Sequence, residues 1–473
     1  MKLFSKLALA ASLLGAAATA HADEANYIFY FIGDGMGPGA VMVTQNYLRT
    51  TTERPDTALL MTTFPVASLC TTYSASSPVT DSAAAGTALA TGTKTRNGML
   101  GMAPDTTEVT SIARRLQTKG YGIGLVTTVA ADDATPAAFY AHVPSRGMYH
   151  EIGRQAAASG YDFIGGAGLR GFSDKNGLPT GLASEFDRYN YTTVRGTSGL
   201  DKTDAKKILM LGTDTIHPNH LGYSIEASKN SFDITDMTRA AIAHLQKNKP
   251  ATFFLMVEGG AIDHGGHAND AGTVIHDTMK FDEALREAYN FYLAHPTETL
   301  IIVTADHETG GMSLGNIPMG YMANTSLIEA QKMSKDSFSD MCKNMIFTDN
   351  IPSWEEMQQI LADNFGFGGP VQLTESELAE LQQSYTDTFV NRSAEQIQAL
   401  YNQYCPFAAD VLNILDRHTG IGWTSIHHTG NPVPVFAIGV GAEKFSSMQD
   451  NVKIPTTIME IVETYNNPPA IMR

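Results

Sequence analysis

Phe253-Phe-Leu-Met-Val-Glu258-Gly-Gly-Ala-Ile-Asp263-His264-Gly-Gly-His267 is the stretch on which the reading of this chain turns. Its first five residues are an unbroken apolar run, the pattern of a strand buried on both faces. Glu258 therefore stands where that strand ends. Asp263 and His267 are four apart, so a helix would place them on one face. A carboxylate and an imidazole so placed can share one zinc ion, and His264 adds a second imidazole beside them. Alone, the stretch would also suit a glycine-rich surface turn, so its meaning depends on the rest of the chain.

The rest repeats the pattern. Tyr27-Ile-Phe-Tyr-Phe-Ile-Gly33 is a near-continuous apolar run that delivers Asp34 into Gly33-Asp34-Gly35-Met36-Gly37. Residues 121–128 form another strand candidate, leading to Asp132-Asp133-Ala134-Thr135-Pro136. Thr299-Leu-Ile-Ile-Val-Thr304 ends in Ala305-Asp306-His307. One carboxylate after a strand is usually a helix cap. Four such strand ends, joined by Asp263, His267 and His428, supply more nitrogen and oxygen ligands than one zinc needs. In open α/β sheets, sites form outside the carboxyl ends of the strands. The expected fold is α/β, a three-layer sandwich with a mostly parallel central sheet and helices on both faces.

Between these strands lie the other candidates. Thr80-Asp81-Ser82-Ala-Ala-Ala-Gly86 opens an Ala-rich helix with Ser82 in its first turn, where free N–H groups and the helix dipole favour an anion. Asp133 and Thr135 offer hard oxygen ligands of the kind magnesium takes, and Arg146 offers a fork for two phosphate oxygens. His142 reads as a packing histidine, and His217 and His220 as loop residues. Helices are expected over 235–248 and 281–294. From about 320 to 422 the composition shifts toward Met, Gln, Glu and Ser, and helical patterns over 354–364, 375–389 and 394–404 mark an insertion. The core then resumes at His427-His428-Thr429-Gly430 and a strand over 433–440.

The 473 residues are 43% hydrophobic and only 17% charged, which suits a large folded core and excludes a disordered chain. The formal charge of −17 argues against nucleic acid as a partner but leaves room for a small anion held by metal ions. Lys2, Lys6, the apolar stretch 7–18 and Ala20-His21-Ala22 read as a signal peptide spanning residues 1–22. One domain then occupies 23–473, periplasmic or secreted, with no membrane contact after cleavage. Cys70, Cys342 and Cys405 permit at most one internal disulfide. Cys342–Cys405 is the preferred pair, and three free buried thiols are the competing expectation.

Taken together, Asp34 in Gly-Asp-Gly-Met-Gly, Asp81-Ser82-Ala-Ala, Asp133-Ala-Thr135-Pro, Arg146, Glu258-Gly-x-x-Ile-Asp263-x3-His267, Ala-Asp306-His307 and His428-Thr-Gly resemble the alkaline phosphatase family, in the family's order. The resemblance implies hydrolysis of small phosphate monoesters at two zinc ions and one magnesium. Ser82 would be the nucleophile, passing through a phosphoserine. Asp263, His267 and His428 would hold one zinc, and Asp34, Asp306 and His307 the other. Magnesium would take Asp34, Thr135 and Glu258, with Asp133 acting through water, and Arg146 would clamp the phosphate. A homodimer is common in the family. Bacterial members of one well-known type pair an aspartate at the position of Asp133 with a lysine at that of His264, and the mammalian type has histidine at both. This chain carries a mixed pair, which places His264 near the phosphate. Two other readings compete: a zinc phosphodiesterase or sulfatase-like hydrolase of the same fold, and a periplasmic zinc- or phosphate-binding protein without chemistry.

Overall fold

Apolar runs long enough to be buried on both faces belong in the middle of a parallel sheet, and there the chain puts them. The computed structural model describes residues 25–52, 57–200, 203–214, 218–392 and 404–466. Among these, ten strands form one central sheet. They are β1 (Tyr27–Ile32), β2 (Val66–Thr71), β3 (Gly122–Thr127), β4 (Phe163–Gly166), β5 (Thr192–Arg195), β6 (Ile208–Leu211), β7 (Phe253–Glu258), β8 (Thr299–Thr304), β9 (Val433–Gly439) and β10 (Gln449–Asp450). Their order across the sheet is β10-β2-β9-β8-β1-β7-β3-β4-β6-β5. Only β9 runs antiparallel to its neighbours, β2 and β8. Helices cover both faces, as expected for the α/β class.

The four strands singled out by their carboxylates, β8, β1, β7 and β3, are consecutive at the centre of the sheet. All four are buried along their whole length. Their registers align their ends. Ile32 of β1 pairs with both Glu258 and Thr304, and Thr127 of β3 pairs with Glu258. With strands about 4.8 Å apart, four loops leave one edge of the sheet within side-chain reach of one another. The core under that edge is aromatic: Phe29, Phe31, Phe253, Phe254 and Phe281 are fully or almost fully buried.

The helices differ from the sequence expectation at their ends. The helix expected over 281–294 begins ten residues earlier, at Ala271, because the Asp270 side chain caps it through Thr273 N at 3.0 Å. The helix expected over 375–389 gives way after Tyr385 to a π-helical turn, Thr386–Asn391. Helices Lys335–Phe347, Trp354–Phe365, Glu375–Tyr385 and Pro406–Thr419 fall within the stretch read as an insertion. The signal segment, His217 and residues 394–403 lie outside the described residues. The preferred disulfide is not formed: Cys70, Cys342 and Cys405 are all free and buried. Cys342 and Cys405 nonetheless lie close enough to perturb each other's thiol, so the spatial pairing was legible even though the bond is absent. Among the described residues, no helix is long and apolar enough to cross a membrane.

Candidate active site

The chain turns sharply after β1, and Gly35 makes that turn possible. It adopts φ 71°, and a Cβ there would lie 2.8 Å from Asp263 Cα. Asp34 is thereby pressed against the loops that follow β7 and β8. Asp306, fully buried, accepts from Gly35 N at 3.2 Å and from its neighbour His307 N at 2.9 Å. His307 Nε2 then lies 3.1 Å from Asp306 Oδ2 and 3.4 Å from Asp34 Oδ1.

Ser82 reaches the same nitrogen. It opens helix Ser82–Thr91, an alanine-rich segment whose N-cap, Asp81, accepts from Ala84 N at 3.0 Å. Ser82 is buried, and its Oγ is 3.2 Å from His307 Nε2. One ring nitrogen thus faces three oxygens at once, which a single proton cannot satisfy. His307 Nδ1 turns instead to Thr309 Oγ1, 3.2 Å away, and that hydroxyl donates to Asp263 Oδ1 at 2.5 Å.

Helix Ala261–Ala268 carries Asp263 and His267. Their spacing of four sets His267 Nε2 3.4 Å from Asp263 Oδ2. His428 comes from a two-residue ribbon, His428–Thr429, paired with Glu308–Thr309 just beyond β8. Its Nε2 is 3.1 Å from His267 Nε2 and 3.6 Å from Asp263 Oδ1, and its ring stacks on that of His307 at 3.5 Å. His427 is exposed and joins the local structure through its main chain, its carbonyl accepting from Gly310 N and its N–H donating to Ser425 Oγ.

Among the described residues, two clusters can hold a cation by mutual distance, with ligand atoms within 4.8 Å of one another: Asp34, Asp306, His307, and Asp263, His307, His428. The orphaned atoms test the fit. Asp34 Oδ1, Asp306 Oδ2, Glu258 Oε1 and Thr135 Oγ1 are buried without a hydrogen bond. Buried polar atoms are rarely left so, and the Asp34, Asp306 and Glu258 carboxylates repel one another, a burden that cations relieve. The donor chemistry divides accordingly. Mixed imidazole and carboxylate sets suit zinc, while the all-oxygen group of Asp34, Glu258 and Thr135 suits magnesium.

The charges agree. Burial, with Asp306, Asp263 and Glu258 nearby, raises Asp34 well above the usual carboxylate range. Burial pushes Glu258 up to about 8, against a hydrogen bond from Thr127 and aided by Asp133 and Asp306. For Asp263 the cost of burial is outweighed by His307, His267 and His428, which bring it down to about 2. Burial and the neighbouring His307 lower His428 to about 4, leaving it neutral as a metal ligand must be.

Arg146 flanks the serine. Its guanidinium pairs with Asp81 Oδ2 at 3.4 Å and Asp133 Oδ1 at 3.0 Å. The other oxygen of Asp133 is taken by Arg170 at 2.8 Å. His264 is half-buried, with its ring edge-on to His220 at 5.7 Å, and burial lowers its basicity. Sequence reasoning missed the roles of Thr127, Thr309, Asp132 and Arg170, and gave Asp81 none, although it caps the serine's helix and pairs with Arg146. The doublet Asp132-Asp133 after a strand was the one signal that could have drawn attention to Arg170.

Fold and site together define a class: an α/β protein whose parallel strands converge on a buried cluster of carboxylates and imidazoles able to hold cations, beside a helix-terminal serine. A family model described as alkaline phosphatase matches residues 25–165 and 173–464. Alkaline phosphatase 4 of Bacillus subtilis (strain 168) is 31% identical over 392 residues, covering 82% of this chain and 77% of its own. The crystal structure of a cold-active alkaline phosphatase from a psychrophilic Shewanella sp. superposes with a TM-score of 0.77 at 28% identity, covering 92% of this chain and 99% of that one. A histidine-to-glutamate variant of TAB5 alkaline phosphatase, with Mg bound in its M3 site, gives a TM-score of 0.64 at 25% identity, covering 93% and 99%. The chain belongs to the alkaline phosphatase family, and it is an enzyme of the phosphoric monoester hydrolase class.

Proposed function

We propose that the chain hydrolyses small phosphate monoesters to alcohol and inorganic phosphate, with Ser82 as nucleophile and a phosphoserine intermediate. The observation that carries this reading is the convergence of Ser82 Oγ, Asp34 Oδ1 and Asp306 Oδ2 on His307 Nε2. A binding protein has no use for a hydroxyl there. Asp263, His267 and His428 would hold one zinc, and Asp34, Asp306 and His307 the other. Asp34, Thr135 and Glu258 would hold magnesium, in line with the Mg-bound TAB5 relative. Asp133, both of whose oxygens are engaged by arginines, would reach that ion through water. When bound, these cations lower the pKa of hydroxyl and water and offset charge on the transferring phosphoryl group.

The chain's own groups do the rest. The N-terminus of helix Ser82–Thr91 aims unpaired N–H groups at the incoming anion. Asp81 fixes that terminus and, through Arg146, the position of the phosphate clamp. Arg146 would hold two non-bridging oxygens so that the ester phosphorus faces Ser82 Oγ. Residues 1–22 would direct export to the periplasm or beyond.

Holoenzyme compared on p-nitrophenyl phosphate, its bis-ester and its sulfate analogue tests the reading. The monoester should be turned over fastest by orders of magnitude. Preference for the bis-ester or the sulfate would move the chain to the rival hydrolase class, and tight phosphate binding without turnover would make it a binding protein.

His264 carries the next prediction. A lysine keeps its charge at pH 9, with a reference pKa of about 10.4, whereas histidine at about 6.5 is neutral. His264→Lys should therefore bind inorganic phosphate several-fold more tightly at pH 9 and, where product release limits the rate, turn over more slowly. Asp133 already has two arginine partners, which leaves most of the new charge for phosphate. Competitive inhibition by phosphate at pH 9 measures this, and an unchanged or weaker inhibition constant would remove His264 from the phosphate site.

A further inference from the structure

Among the described residues, Arg170 is a cation beside the site that neither the metal ligands nor the nucleophile accounts for. It follows β4, the strand next to β3, and opens a short 3-10 turn, Arg170–Phe172. Its place is fixed from several directions. The buried Asp132 carboxylate accepts from Arg170 N at 2.8 Å and from Gly171 N at 2.7 Å. The guanidinium donates to Tyr149 Oη at 2.8 Å and lies 5.1 Å from the centre of that ring. Its remaining terminal nitrogen meets Asp133 Oδ2 at 2.8 Å. Of two adjacent aspartates, the first anchors the Arg170 main chain and the second takes its side chain.

The consequence concerns Arg146. That guanidinium lies between two carboxylates, Asp81 and Asp133. One cation between two anions leaves the clamp with a net negative charge. An incoming phosphate dianion would compete with Asp133 for the same N–H groups. Arg170 changes both terms. It brings the set to two cations and two anions, and it draws on the Asp133 oxygen that Arg146 does not use. Asp133 is then shared between two guanidiniums, and its hold on Arg146 is weakened.

We propose that Arg170 is a positioning residue for the phosphate clamp: it neutralises Asp133 from behind and so sets how strongly Arg146 binds the phosphoryl group. Arg170 acts through Asp133 and does not touch substrate. This rests on the monoesterase reading of the site and adds to it the residue that tunes phosphate affinity.

The test uses zinc- and magnesium-loaded enzyme and inorganic phosphate as the probe, with affinity read by calorimetry and by inhibition of p-nitrophenyl phosphate turnover. Arg170→Gln deletes the charge and should raise the phosphate dissociation constant and KM together by about tenfold, with kcat changed less. Arg170→Lys keeps the charge at a partly different reach and should stay within about threefold of wild type. In an Asp133→Asn background no carboxylate remains to be neutralised, so adding Arg170→Gln should change phosphate affinity little. Unchanged affinity in Arg170→Gln would overturn the proposal. So would an equal loss in both backgrounds, which would mean direct contact or a general effect on the fold. Equal losses in the Lys and Gln variants would also overturn it, since charge would then be irrelevant. Calorimetry separates this proposal from the functional reading: an enzyme that binds phosphate through Arg170 but turns over no monoester refutes the activity alone.

Discussion

Ser82→Ala should lose monoesterase activity by a factor on the order of 10^3 or more, between the cost of removing one charge-stabilising donor and that of removing a whole nucleophile. The expectation rests on placement. Ser82 is buried at the first position of its helix, and its hydroxyl has no structural partner other than His307 Nε2 at 3.2 Å. The helix does not need it, because Asp81 supplies the cap. Alanine also has the highest helix propensity, so the variant should fold and load zinc as the parent does. The residual rate would reflect water in a site where Arg146 still orients the ester. Rapid acid quench with labelled substrate should trap phosphate on wild-type protein and none on the variant. A variant that turns over like the parent, or that still becomes labelled, would assign the nucleophile elsewhere.

What the sequence made legible follows from where its signals are local. β1, β3, β7 and β8 were readable because each is a largely apolar run with a carboxylate at or a few residues past its end, and their buried ends bring Asp34, Asp133, Glu258, Asp306 and His307 together. Asp263 and His267 were readable because helical spacing alone makes them neighbours. The short strands β4, β5 and β6, of four residues each, are too brief to stand out even where apolar, as in Ile208–Leu211, and with them went Arg170, whose partner Asp133 lies on a different loop. Thr309 and Thr127 were invisible for another reason. Each orients a carboxylate, Asp263 and Glu258 respectively, through a hydroxyl that sequence cannot distinguish from any other threonine's. His428 was chosen over His427 only by its Thr-Gly neighbours; the ribbon pairing His428 with Thr309 gives the physical cause, because alternate residues of a strand face opposite ways.

Chelation should abolish activity and lower thermal stability, and zinc with magnesium should restore both. The stability term follows from four carboxylates, Asp34, Glu258, Asp263 and Asp306, buried within one cluster. Ligands that bind only the folded state stabilise it by about 2.7 kcal/mol at a hundredfold excess over Kd, so removal should shift the unfolding transition by several degrees even in inactive variants. His428→Ala divides the centre. The imidazole lies 3.1 Å from His267 and 3.6 Å from Asp263, while Asp34 and Asp306 gather around His307 without it. Metal analysis of the variant should therefore show one zinc lost and the other retained. The stacking of His428 on His307 at 3.5 Å could carry the disturbance across, so His267→Ala, which leaves that stack intact, is the control. Both variants should lose the same zinc. Loss of both ions in His267→Ala would mean that the two clusters are one cooperative site sharing His307, and full retention in His428→Ala would mean that a different set of ligands holds the first zinc.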